Sequence, residues 1–228
     1  MIFVGVDLAW SPHRASGLVA VHWEAQRLRT LWARQLPHHE AVLTFLLNLK
    51  PVHRYGLLID APLRGTGPFR PAEHALMPLL RPWKVGLLPF CGVSFEHLLV
   101  PLQHAGFRLY PPDSSRLCQV GGWIVEVYPQ ATAVGVVRQR LPYKRGDRAR
   151  RRLAWRRFLQ RVARRLSPWG LAVETPESLE PTHLRDAWVA AMGGAVACAL
   201  GCGRRFPETP GEPYLWVPWL PDAEEEPA

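Results

Sequence analysis

Four carboxylates in the 228-residue chain stand where a charge is costly. Asp7 ends the run IFVGVD, Asp60 ends YGLLID, Glu126 lies inside WIVEVYP, and Asp186 interrupts THLRDAWVAAMGGAVACALG. A carboxylate in apolar company is expensive unless it is paired, hydrogen-bonded or bound to a metal. Acids gathered from separate elements supply the hard oxygen ligands that Mg²⁺ or Mn²⁺ takes. Such ions polarise a phosphodiester, activate a water and stabilise the charge on attacking and leaving oxygens. That chemistry needs no histidine, and the nine histidines show no HExxH spacing. Each acid also has a plainer use. Asp7 and Asp60 can organise the turn after a strand, Asp186 can pair with an arginine on a helix face, and Glu126 can answer an arginine from an edge strand.

A second chemical feature is a run of cations. The chain carries 28 Lys+Arg against 19 Asp+Glu, a formal charge of +9, and the stretch from Arg138 to Arg165 alone holds +12. A mildly acidic body therefore carries one basic element. Within it, Trp155, Phe158, Leu159, Val162 and Leu166 recur at helical spacing, and Arg150, Arg157, Arg161, Arg164 and Arg165 gather on the opposite side. Arginine offers phosphate oxygens a planar fork and stays charged, so Arg157 and Arg161 are candidate contacts to a polyanion. A solvated helix face has the same pattern.

The elements that must position these residues are legible in outline. Strands are expected at Ile2–Asp7, Leu18–Trp23, Leu28–Leu36, Tyr55–Asp60 and Trp123–Tyr128, and helices at His38–Leu49, Asp147–Leu166 and Thr182–Leu200. Residues 61–121 are rich in Pro and Gly, with short helical stretches near Pro71–Leu80 and Ser94–His104, and read as an insertion or lid. The basic helix is expected to follow the strand at Trp123 directly. YLWVPWLP is read as an edge segment, and 222–228 as a disordered acidic tail after a single domain, 1–221. This order predicts an α/β fold with a ribonuclease H-like mixed sheet, an antiparallel meander extended by parallel strands and flanked by helices. Asp186 shares a helix face with Ala190, Gly193 and Ala197, small residues that would let that face approach a sheet closely.

Composition removes several classes. With 48% apolar and 21% charged residues the chain is globular rather than disordered. No apolar run reaches the ~20 residues of a membrane span. Cys91, Cys118, Cys198 and Cys202 form no CxxC pair and no disulfide-dense spacing, which fits a reducing, cytoplasmic setting. No Walker A loop or GxSxG nucleophile turn occurs.

Six short segments, VGVDLAW, LLIDAPL, RPAEHAL, VEVYP, PYK and HLRDAWVAA, occur in register along the chain. In this order they resemble the domain of unknown function 429 family, over roughly residues 1–220, and EPYLWVP resembles its closing strand. The resemblance implies a predicted nuclease of ribonuclease H-like fold, with Asp7, Asp60 and Asp186 as the acidic, metal-holding site. It adds Arg70 and Lys144 as phosphate contacts, and Glu126 and Glu73 as groups that orient metal or water. One departure is the helix after the third strand. It has Glu40 but no carboxylate in its apolar middle, so the second ligand falls to Asp60. The expected function is metal-dependent phosphodiester hydrolysis with Mg²⁺ or Mn²⁺, acting on a nucleic acid or nucleotide. The alternatives are an actin-like, ATP-using phosphotransferase and a non-catalytic nucleic-acid-binding module.

Overall fold

The N-terminal apolar runs become a three-stranded meander. β1 (Ile2–Asp7) pairs antiparallel with β2 (Ser16–Glu24), which pairs antiparallel with β3 (Arg27–Leu36). A two-residue turn joins β2 to β3. Its residues, Ala25 and Gln26, both have positive φ, the geometry that matches the twist of a hairpin. The structure, a computed structural model, describes every residue except 64–68, 88–94, 110–118, 145, 208–214 and 222–228.

After α1 (His39–Leu47), β4 (Tyr55–Asp60) returns to lie parallel to β1. Then come α2 (Pro71–Leu80), α3 (Glu96–His104), β5 (Arg108–Leu109), β6 (Trp123–Glu126), α4 (Pro129–Val137) and α5 (Arg148–Leu166). The chain closes with β7 (Ala172–Val173), α6 (Thr182–Leu200), β8 (Gly203–Phe206) and β9 (Leu215–Pro218). Seven strands form one sheet in the order β5-β6-β4-β1-β2-β3-β7, with the meander at one side and β4, β6 and β5 added in parallel. This is the expected ribonuclease H-like mixed sheet. Both of its edges are two-residue strands.

Alternation along the central strands divides the core between two faces. Phe3, Val19, Leu58 and Val125 face α4, α5 and α6, whereas Val4, Val6, Leu57, Ile59 and Ile124 face α1 and α3. α6 sits unusually close to the sheet. A Cβ on Gly5 would lie 1.9 Å from the Ala187 carbonyl oxygen, and one on Gly17 would lie 2.6 Å from that of His183. Gly17 is the register partner of Asp7, so the first turns of α6 rest over the carboxyl-terminal end of β1.

Several expectations need correction. The face of α6 turned to the sheet is that of Ala187, Ala191 and Gly194, while Gly193, on the face of Asp186, meets Thr132 of α4 and Pro218. β6 lies between β5 and β4 and is no edge strand. A helix, α4, separates it from the basic helix. Every residue of α4 except Gln130 is buried, so no polar stripe betrays its period. YLWVPWLP contributes β9 to a separate two-stranded sheet with β8, not to an edge of the main sheet. The described parts of 61–121 are built into the body: Leu98, Leu99, Leu102 and Phe107 belong to the core beneath α1. The rest of that segment and the acidic tail fall outside the described residues. Cys198 is disulfide-bonded, which its spacing did not suggest, and Cys202 is free. Among the described residues no helix is long and apolar enough to cross a membrane.

Candidate functional site

Asp7 and Asp60 are register partners at the carboxyl ends of β1 and β4. Each continues the face of its strand that looks at α6, Asp7 after Phe3 and Gly5, Asp60 after Leu58. The glycine-permitted seating of α6 then brings Asp186, the residue before Ala187, over the same strand ends. Asp186 comes within hydrogen-bonding reach of Asp7. The three acids line one cavity of about 450 Å³, together with Arg70, Glu73, Glu126 and Lys144. The structure thus gathers seven of the nine expected site residues in one place.

Crowded, half-buried negative charge has the expected electrostatic result. Burial, and then the charge of Asp186, push the Asp7 carboxyl up to about 8, against a smaller opposing pull from Lys144. Burial and the charges of Asp7 and Asp186 hold Asp60 well above the usual carboxylate range. Asp186 itself is clamped. The Tyr143 hydroxyl donates to Oδ1 at 2.9 Å, and the Lys144 ammonium donates to Oδ2. Burial alone would lower the Lys144 pKa, but Asp186, Asp7 and Asp60 together reverse this and raise it. The ammonium stands beside the acids as a cation would.

Glu126 takes a different part. It alternates with Val125 and so follows Ile124 onto the other face of the sheet. There it meets Arg70, which is 3% exposed. Nη1 of Arg70 donates to Glu126 Oε2 at 2.9 Å and Nη2 to Oε1, while Nε donates to Glu73 Oε1 at 2.9 Å. The Leu63 amide adds a bond to Glu126 Oε2 at 2.9 Å. Arg70 is therefore a buried bridge between two carboxylates, and Glu73 closes the amino end of α2 by accepting from the Arg70 backbone amide at 2.7 Å. Burial still pushes Glu126 up to about 7 despite the arginine.

Residue types alone did not single out Tyr143 or Tyr128. Tyr143 is fully buried and stands edge-on to Trp155 at 5.0 Å, and Trp155 stands edge-on to Trp188 at 5.5 Å. The apolar face of α5 thereby braces the hydroxyl that holds Asp186. A tyrosine beside the lysine of PYK, just ahead of the basic helix, was the available signal. Tyr128 closes one side of the cavity, its hydroxyl donating to the Gly86 carbonyl at 2.9 Å. The outer face of α5 does not reach the carboxylates. Arg157 and Arg161 line a separate groove with Gln160, Arg164 and Arg165.

The donor set suits a hard divalent cation: three carboxylates from three elements, two of them held above their normal range by burial and by one another's charge. Among the described residues no three His, Cys, Asp or Glu side chains already close around one point, and Lys144 supplies the compensating charge. No protein-family profile matches the chain. No curated protein is similar to it in sequence. Among solved structures, T. thermophilus RuvC in complex with a Holliday junction substrate is similar at 17% identity, over 87% of this chain and 93% of that one, with a TM-score of 0.37. The ribonuclease H-like fold stands on strand order and register.

Proposed function

We propose that the chain is a metal-dependent phosphodiesterase or nuclease, with Mg²⁺ or Mn²⁺ held by Asp7, Asp60 and Asp186. One observation carries the reading: two strand-end aspartates side by side on one face, met from above by a helical aspartate. When bound, the metal supplies charge that polarises the phosphate and lowers the pKa of water. The chain's own residues do the rest. Tyr143 fixes the orientation of Asp186. Lys144, 39% exposed, can leave Asp186 and turn its ammonium to a phosphate oxygen. Glu126, near 7, can hold or release a proton at the cavity wall around neutral pH. Arg70 and Glu73 keep that carboxylate in place. Kinship with the domain of unknown function 429 family belongs to the same proposal and rests on the six sequence segments.

The test is Mn²⁺ titration by calorimetry, alongside hydrolysis of bis(p-nitrophenyl) phosphate and of oligonucleotides with and without chelator. The proposal expects Mn²⁺ binding and cleavage that both vanish in Asp7→Asn while the circular dichroism spectrum is kept. Cleavage that survives chelator refutes metal catalysis. Consumption of ATP without phosphodiester cleavage turns the reading to a phosphotransferase.

A further inference from the structure

The carboxylate cavity does not end at Lys144. A second chamber of about 530 Å³ adjoins it, the two having Gly86, Tyr128, Gln130 and Lys144 as common lining residues. Their chemistry is opposite. Among the described residues, five carboxylates line the first chamber, whereas the second has no acid in its wall and carries Lys84, Arg140 and Lys144. Lys84 and Arg140 are exposed, and neither side chain has an ion pair or hydrogen bond among the described residues. Lys84 holds a left-handed backbone (φ 54°) where its 3-10 turn ends. Gln130 accepts from the Leu141 amide through Oε1 at 2.9 Å, which leaves its NH₂ to donate into the chamber. Gln139 adds a second side-chain amide. Cations and amide donors without acids form a wall suited to phosphate oxygens. On the first chamber's wall, Trp10 leaves 48% of its surface exposed. An exposed indole at the mouth of the carboxylate chamber suits a stacked base.

We propose that the two adjoining chambers bind one nucleic-acid strand. A base stacks on Trp10, the scissile phosphate meets the carboxylate chamber, and a neighbouring phosphate lies between Lys84 and Arg140. This rests on the hydrolase reading for the middle step alone. The substrate class is then a polynucleotide rather than a lone small phosphodiester, since a compound with a single phosphate leaves the cationic chamber unused.

Fluorescence anisotropy of a short fluorescein-labelled oligothymidylate, titrated in chelator at several salt concentrations, separates binding from catalysis. Lys84→Gln with Arg140→Gln is expected to bind about tenfold more weakly and to flatten the log–log salt slope by about 0.7 for each phosphate no longer neutralised. Trp10→Ala is expected to bind about tenfold more weakly at an unchanged slope, because stacking releases no counterions. All three substitutions are at exposed positions and leave the fold intact. Wild-type affinity and slope in both variants, or no binding by the wild-type chain, overturn the proposal. Weakened binding in the variants with no Mn²⁺-dependent cleavage by the wild type upholds the strand site and removes the hydrolase reading instead.

Discussion

The carboxylate cavity and the outer face of α5 are both densely charged, and they treat charge in opposite ways. In the cavity, like charges are desolvated and crowded, so Asp7 rises to about 8 and Asp60 rises with it. On α5 the charges stay in water. Arg148, Arg152 and Arg156 pair with Glu180 or Glu177, and Arg148 and Arg152 pull the surface carboxyl of Glu180 down to about 2. Arg157, Arg161 and Arg164 have no ion pair among the described residues. One region is held at a cost that a proton, the Lys144 ammonium or a bound cation relieves. The other costs almost nothing, and exposed pairs of its kind contribute little stability.

The sharpest way to break this contrast is Asp60→Asn. It is expected to abolish Mn²⁺ binding and cleavage, and at the same time to raise the melting temperature of the metal-free protein at pH 8. Scanning calorimetry with and without Mn²⁺ reads both; a lower metal-free melting temperature would mean the acids are not in conflict. Next in size is Tyr143→Phe, which removes one anchor from Asp186. Loss of such an orienting bond is expected to weaken Mn²⁺ binding by about 10- to 100-fold, and calorimetric titration measures it. A milder effect would place the control of Asp186 with Lys144 alone.

The pH dependence of stability has opposite signs in the two regions. Between about 4 and about 8 the folded chain keeps a proton on Asp7 that the unfolded chain gives up. Metal-free stability therefore falls as pH rises through that window, by on the order of a few kcal/mol. Glu180 acts the other way and lower down: its contribution is present above its ordinary range and is lost as pH falls toward 2. Urea titrations across pH resolve the two windows, and Mn²⁺ is expected to flatten the upper one only. Gly5→Ala is expected to cost about 1–3 kcal/mol, because its Cβ would collide with the Ala187 backbone and lift α6 from β1. A smaller loss in urea denaturation would show that α6 yields easily. The smallest change is Arg157→Gln with Arg161→Gln, expected to leave stability within about 0.5 kcal/mol of wild type. If the stripe touches nucleic acid, the same pair flattens the salt dependence of oligonucleotide binding; equal slopes make it a solvated face.

What the sequence disclosed followed from local pattern. Apolar runs ending in Asp7 and Asp60, and a helix of small residues around Asp186, announced strand ends and a close helix before any contact was known. α4 was hidden because a helix buried on nearly every side has no amphipathic period. The bond of Arg70 to Glu126 spans 56 residues of chain and depends on which strand is central. Side-chain parity also decided that Glu126 turns away from the three aspartates, and a one-residue shift in β6 would have turned it toward them. The brace from Trp155 through Tyr143 to Asp186 needed two helices and a 3-10 turn to be placed first.

The two-residue edge strands have a consequence for how the protein behaves in concentrated solution. β7 covers only Arg27 and Leu28, so from Arg29 to Leu36 the outer side of β3 has no strand beside it among the described residues. An uncovered strand of that length is a template on which another extended chain can polymerise. Arg29 and Arg34 stand along it, Arg29 paired with Glu174 at 3.4 Å and Arg34 laid over the Phe45 ring at 5.3 Å, so another chain docking there would meet charged side chains. Neutralising these arginines is therefore expected to favour association along this edge while the carboxylate cavity, remote from it, stays intact.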